Sequence, residues 1–242
     1  TIVMNKTLAM LCLSFLFTSA EADPHSHAEP GKFLVRHVDL DLRADFDARR
    51  LEGTAELTVE QVDSDASTLV LDTNGLEIRT VHLIELSGHA RVLAFKLGDS
   101  DPILGSPLTI EFPHCCAATS EMRIRIDYRT SNEAAALQWL EPAQTSGPHP
   151  FMYTQGQAIL ARSWIPIQDS PGIRMTYSAR IRTPSALTAV MSAARVEDPA
   201  AAPGEHRFEM KQPIPAYLIA LAIGDLHRHA GGSGARAHAA GI

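Results

Sequence analysis

From Phe33 onward, apolar and polar residues alternate along the chain. Leu34, Val38, Leu40 and Leu42 share one parity, while Arg36, Asp39, Asp41 and Arg43 are polar. Beyond a polar turn at Asp45 to Arg50, Leu51, Ala55, Leu57 and Val59 alternate with Glu52, Thr54, Glu56, Thr58 and Glu60. A period of two on both sides of a turn predicts a hairpin of half-buried strands. The same rhythm returns in Met122 to Arg129 and in Met175 to Arg182. Shorter apolar runs at Thr68 to Leu71, Val92 to Leu97 and Leu108 to Phe112 add further strands. Tyr217 to Ile223 is continuously apolar and reads as a strand covered on both faces. No stretch from Phe33 onward keeps a helical period over three turns. The expected fold is all-β, a saddle-like sandwich or open barrel of mostly antiparallel strands.

Breakers stand between these runs: Pro113, Pro142, Gly147-Pro148, Pro166, Pro171-Gly172, Pro184, Pro203-Gly204 and the pair Pro213 and Pro215. There is no internal repeat. The two ends read differently from the middle. Met4-Asn5-Lys6 opens a short positive region, Leu8 to Phe17 is apolar, and Ala20-Glu21-Ala22 supplies small residues for a signal peptidase. Residues 1–22 are therefore read as a signal peptide cut before Asp23, which implies export to a periplasm or the medium. The apolar run falls short of the about 20 residues a membrane helix needs. Residues 23–32, with His25 and His27, read as a flexible leader; Pro24 lacks the amide hydrogen that a copper site at His25 would have to lose. Residues 227–242 are Gly/Ala/His/Arg-rich and read as a disordered tail.

Composition restricts the function classes. The 242 residues are 45% hydrophobic and 20% charged, a balance that fits a folded globular domain and excludes disorder. The net charge of -7 and the lack of a basic run argue against nucleic acid, and no membrane partner is expected. Three cysteines, Cys12 and the adjacent Cys115 and Cys116, give no disulfide framework. Cys115 and Cys116 are read as thiols, because neighbours rarely reach disulfide geometry. None of the eleven histidines lies four residues from another, so an H-E-x-x-H zinc motif is absent. No G-x-S-x-G elbow or phosphate-binding Gly-rich loop occurs. Asp39 and Asp41 read as a solvated strand face.

The informative stretch is Ala136 to Tyr177, ALQWLEPAQTSGPHPFMYTQGQAILARSWIPIQDSPGIRMTY. Its ALQWL-x-P-x-QTSG segment, the Gln155-Gly156-Gln157-Ala158 motif, the Arg162-x-x-x-Pro166-x-x-Asp169-x-Pro171 motif and PIPAYLIALAIGDL at Pro213 to Leu226 carry a resemblance. The chain resembles the amino-terminal domain of the zinc aminopeptidase family of aminopeptidase N and leukotriene A-4 hydrolase, and is most similar to the leukotriene A-4 hydrolase branch. Ile167 departs from the cysteine that relatives often carry there, a difference of packing.

The resemblance implies an all-β domain over residues 33–226, followed in the family by a thermolysin-like catalytic domain. That second domain holds zinc through H-E-x-x-H and a distant Glu. Neither H-E-x-x-H nor G-x-M-E-N occurs before Ile242, so the chain is expected to be a truncated piece without its own metal or peptidase turnover. Zinc would belong to the complete enzyme. The resemblance also implies that Gln157, with Gln155 beside it, contacts the free amino end of a peptide substrate. A strand through this motif would place both on one face with Phe151, Tyr153 and Ile159. Arg162 and Asp169 are expected to pin the turn between two strands. A second reading stays open, a free-standing secreted β module that binds a peptide or protein without catalysis.

Overall fold

The computed structural model of the protein describes residues 23–112, 121–229 and 236–238. The expected signal peptide, Cys12 and the Cys115-Cys116 pair lie outside the described residues.

Strands form where the alternation is cleanest. β1 (Phe33–Asp45) and β2 (Arg50–Gln61) make the predicted hairpin. β3 (Thr68–Thr73), β4 (Glu77–Ile84), β5 (Ala90–Val92), β6 (Phe95–Leu97) and β7 (Ser106–Glu111) follow. Then come β8 (Glu121–Arg129), β9 (Leu137–Leu140), β10 (Phe151–Thr154) and β11 (Arg174–Arg182). β12 (Thr188–Met191), β13 (Ala194–Val196), β14 (Glu205–Pro215) and β15 (Leu221–Gly224) lead to β16 (His227–His229), which pairs with β17 (Arg236–His238). This last ribbon lies in the stretch expected to be a disordered tail.

The architecture is all-β. An eight-stranded sheet runs β13-β14-β11-β1-β2-β8-β4-β5, and only its central β1/β11 pair is parallel. A three-stranded sheet runs β3-β7-β6, and a four-stranded sheet β12-β15-β10-β9. The inward residues form one contiguous core, including Leu40, Leu57, Ile126, Tyr177, Leu71 and Met152. Their alternation with charged residues makes the large sheet apolar on one side and wet on the other.

Local departures from the sequence pattern have physical causes. The run from Val92 to Leu97 is two strands, because at Leu93–Ala94 the chain leaves the large sheet: Leu93 N–H donates to Val81 O and Ala94 O accepts from Glu111 N–H. In β1 a bulge between Val35 and His37 shifts the parity, so Val35 is fully buried where Leu34 was expected. Pro213 and Pro215 are not breakers but lie within β14. The Pro213 stretch has no partner in the β11 ladder, where a residue without an N–H is tolerated. Tyr217 to Ile223 is not one strand. A 3-10 turn at Ala216–Leu218 precedes the short β15, and Leu218 is exposed.

Candidate functional site

The residues from Ala161 to Ser170 form an irregular segment that is buried throughout. A buried loop must pair its polar groups internally, and this one does. The Arg162 guanidinium is 1% exposed. Its Nε donates to Asp169 Oδ2 (3.2 Å), Nη1 to Leu104 O (2.9 Å), and Nη2 to Asp169 O (3.0 Å) and His25 O (2.8 Å). Asp72, also fully buried, lies 3.7 Å from Arg162 Nη1. Two carboxylates thus share one guanidinium. Burial outweighs the Arg162 charge at Asp169 and pushes its carboxyl up. Gln168 spends both ends of its amide on β1: Oε1 accepts from Val35 N–H (2.9 Å) and Nε2 donates to Phe33 O (2.8 Å). Tyr128 donates to Trp164 O (3.0 Å), and its burial pushes the phenol pKa up. These contacts tie the loop to β1, β3 and β8, the structural role expected for Arg162 and Asp169.

The same loop sets the turn that carries the two glutamines. β10 ends at Thr154, and Gln155 to Leu160 turn back toward a 3-10 turn at Ala161–Ser163. Both ends of the turn meet one residue. Gln155 N–H donates to Ala136 O (2.8 Å), and Ala136 N–H donates to Ser163 Oγ (2.9 Å). Ser163 in turn donates to Leu160 O (2.8 Å), and Leu160 N–H to Gly156 O (2.9 Å). Gly156 is pressed against the Tyr217 backbone: a Cβ there would lie 2.6 Å from Tyr217 O.

Gln155 and Gln157 are both exposed, and Gln157 N–H donates to Gln155 Oε1 (3.3 Å). The structure thus keeps the pair together, but not by the expected route. The strand does not run through the motif, and the shared face with Phe151, Tyr153 and Ile159 fails beyond Thr154. Gly156 buried against Tyr217 turns the chain instead.

Beside this turn lies the outer face of the four-stranded sheet. The registers align Gln138, Tyr153, Ala222 and Val190 in one row, and Leu140 and Phe151 in the next. Tyr153 is 40% exposed and packs at 6.0 Å between ring centroids with Phe151, which covers Gly224. Exposed Leu218 lies at the opposite end, just before β15, whose Leu221 N–H donates to Thr154 Oγ1. The inner row, Met152, Ile223 and Ala189, is fully buried.

The expected leader is another correction. Residues 23–28 are tied down: Ser26 Oγ donates to Asp72 Oδ2 (2.6 Å), His27 N–H to Asp72 Oδ1 (2.7 Å), and Ser170 Oγ to Asp23 Oδ2 (2.5 Å). Burial would raise the Asp23 carboxyl, but the Ser170 and His25 hydrogen bonds hold it below its ordinary value. No sequence signal marks this, since Asp, His and Ser in a row look solvated until Asp72 is placed beside them. Ser163 carries no sequence signal either, since its partner Ala136 lies 27 positions away.

The Asp39/Asp41 pair stands on the outer face of the large sheet. Asp39 accepts from Ser178, and the neighbouring His37 helps hold its carboxyl low. Arg180 and Arg182 both donate to Asp41. A shallow depression of about 740 Å3 here is lined by four carboxylates and four guanidiniums, so it favours neither sign of ligand. Among the described residues no three His, Cys, Asp or Glu side chains converge to hold a metal, so the zinc implied by the resemblance has no fitting site in them.

Comparison with known proteins agrees with this architecture. Residues 35–218 match the Peptidase M1 N-terminal domain. Leukotriene A-4 hydrolase of Xenopus laevis is 38% identical over 210 residues, which cover 85% of this chain and 34% of that protein. Aminopeptidase B of Rattus norvegicus is 38% identical over 225 residues, covering 87% and 34%. A solved yeast LTA4 hydrolase in complex with bestatin superposes with a TM-score of 0.77 at 33% identity, covering 88% of this chain and 32% of that one. An M1 zinc metallopeptidase from Deinococcus radiodurans, 18% identical with a TM-score of 0.64, shares the fold. The chain spans about a third of the length of the curated relatives it matches. It belongs to the Peptidase M1 N-terminal domain family, the amino-terminal domain of the M1 zinc aminopeptidases.

Proposed function

We propose that this domain forms one wall of the substrate cleft of a zinc aminopeptidase, and that Gln157, assisted by Gln155, holds the free amino end of the peptide. The observation that carries this is the exposed glutamine pair, presented on a turn closed at both ends on Ala136. A peptide ammonium brings three donors, and a glutamine carbonyl is a neutral acceptor that does not repel peptides lacking further charge. Fixing the turn beforehand lowers the ordering cost of binding. The chemistry of hydrolysis belongs to a metal-bearing catalytic domain of the same enzyme. That domain docks on the apolar outer face around Phe151, Tyr153 and Leu218, which adjoins the glutamines. Such a face on an isolated secreted module would be a liability, which favours the enzyme reading.

The test is Gln157→Ala in the complete enzyme. A hydrogen bond to a charged group is worth about 1.5–3 kcal/mol, so kcat/KM for peptides with a free amino end is expected to fall roughly 10- to 100-fold. Unchanged kcat/KM would reject the contact.

A further inference from the structure

The glutamine turn is closed on itself, but its position in the domain is set from behind. Arg162 lies at its inner end, beside the Ser163 hydroxyl that props Ala136. The guanidinium is held on one side by Asp169 and on another by Leu104 O and His25 O. His25 belongs to the strap Asp23–Ala28, which also supplies two of the hydrogen bonds to Asp72, from Ser26 Oγ and His27 N–H; the third comes from Asp169 N–H. Ser26 Oγ additionally accepts from Ala28 N–H (3.0 Å), so one hydroxyl both shapes the strap and docks it.

We propose that the strap, through Ser26, is a positioning element for the Gln155–Gln157 turn, acting through Asp72 and Arg162. With the strap seated, Asp72 is saturated by short hydrogen bonds and stays 3.7 Å from the guanidinium, which leaves Arg162 to Asp169 and the two carbonyls. With Ser26 Oγ removed, Asp72 Oδ2 keeps only Asp169 N–H, and the under-bonded carboxylate is drawn toward the Arg162 guanidinium beside its Oδ1. Arg162 then moves, and Ala161–Ser163 move with it. The prop on Ala136 loosens, and both glutamines shift. A residue 46 positions from Asp72 in sequence thereby sets the geometry of the amino-end contact. The purpose of this coupling rests on the reading of Gln157 given above, whereas the coupling itself does not.

The full chain is compared with Ser26→Ala and Ser26→Thr by amide hydrogen exchange and by the side-chain amide resonances of 15N-glutamine. In Ser26→Ala, exchange at Leu160, Ser163 and Trp164 is expected to speed by about fivefold, the loss of one ordinary hydrogen bond. The Gln155 and Gln157 resonances shift, while Leu40, Leu57 and Ile126 in the large sheet exchange as before. Ser26→Thr keeps the hydroxyl and behaves as the unaltered protein. The proposal is overturned by unchanged exchange and resonances at the turn, by a uniform acceleration across the domain, or by a threonine variant that behaves like alanine. No substrate enters these measurements. A Gln157→Ala enzyme with normal turnover would therefore reject the amine contact and leave the strap's effect standing.

Discussion

The two outward faces of this domain solve the problem of exposure in opposite ways. The large sheet's outer face is covered with charge that is already matched. Glu56 is held by Arg123 and Arg125, Asp41 by Arg180 and Arg182, and Glu52 by Arg43. These rows run across the strands, so opposite charges sit on neighbouring strands as cross-strand pairs. Such a face is content with water. The four-stranded sheet shows Phe151, Tyr153, Leu140 and Val190 with few polar residues among them, and ends in two glutamines on a fixed turn. An apolar face beside a preset polar contact is a surface shaped for other atoms. The lesson is that charge density does not mark the proposed contact here. The glutamines are neutral, and the charged network of Asp72, Arg162 and Asp169 is buried in the core behind the 3-10 turn that follows them.

That contrast breaks most sharply at Arg162. Arg162→Leu fills much of the volume but leaves Asp72 and Asp169 buried without their shared cation. Removing one partner of a buried ion pair costs about 3–5 kcal/mol, so the denaturant midpoint is expected to drop steeply. A loss below about 1 kcal/mol would mean that water reaches the cluster and that it is no more demanding than the outer face. The next effect in size is Gly156→Ala. The new Cβ meets the Tyr217 carbonyl, a backbone atom that cannot rotate away. Overpacking of this kind costs about 1–3 kcal/mol, measured by thermal unfolding. Because the strain falls on the turn, the Gln155 and Gln157 side-chain amides are expected to shift as well. If stability falls while the glutamines stay put, the turn is set elsewhere.

Much of the fold was legible because it is local. β1, β2, β8 and β11 alternate cleanly, since each has one face in the core and one in water. What failed was non-local. β14 is hidden by Pro213 and Pro215; Pro213 is tolerated in the unpaired bulge between Met210 and Ile214, and Pro215 at the last residue of the strand. The run FMYTQGQAI keeps a strand's rhythm beyond its end, and the turn at Gly156 depends on Tyr217, some 60 positions on. The glutamines themselves came from resemblance, because two exposed Gln residues carry no periodic signal. The strap reads as solvated because its partner, Asp72, looks from sequence like any polar residue at a strand end. The Arg162 motif was read correctly as a pin. Its reach into residues 23–28 could not be.

The smallest effect is expected on the charged face, at Arg125→Ala. Arg125 is 45% exposed on its side chain and shares Glu56 with Arg123, which still donates to that carboxylate when Arg125 is gone. Exposed pairs contribute about 0–1 kcal/mol, and this one is backed up, so the loss should fall in the lower half of that range. It should also shrink as salt rises, since screening acts on solvent-facing charges and hardly on buried ones. Measured side by side with Arg162→Leu at low and high salt, the two arginines are expected to separate on both axes, size and salt response. A large, salt-resistant loss at Arg125 would mean that the outer face is not merely solvated but holds the sheet together. The division between a self-sufficient face and a partner-seeking one would then have to be redrawn around Glu56.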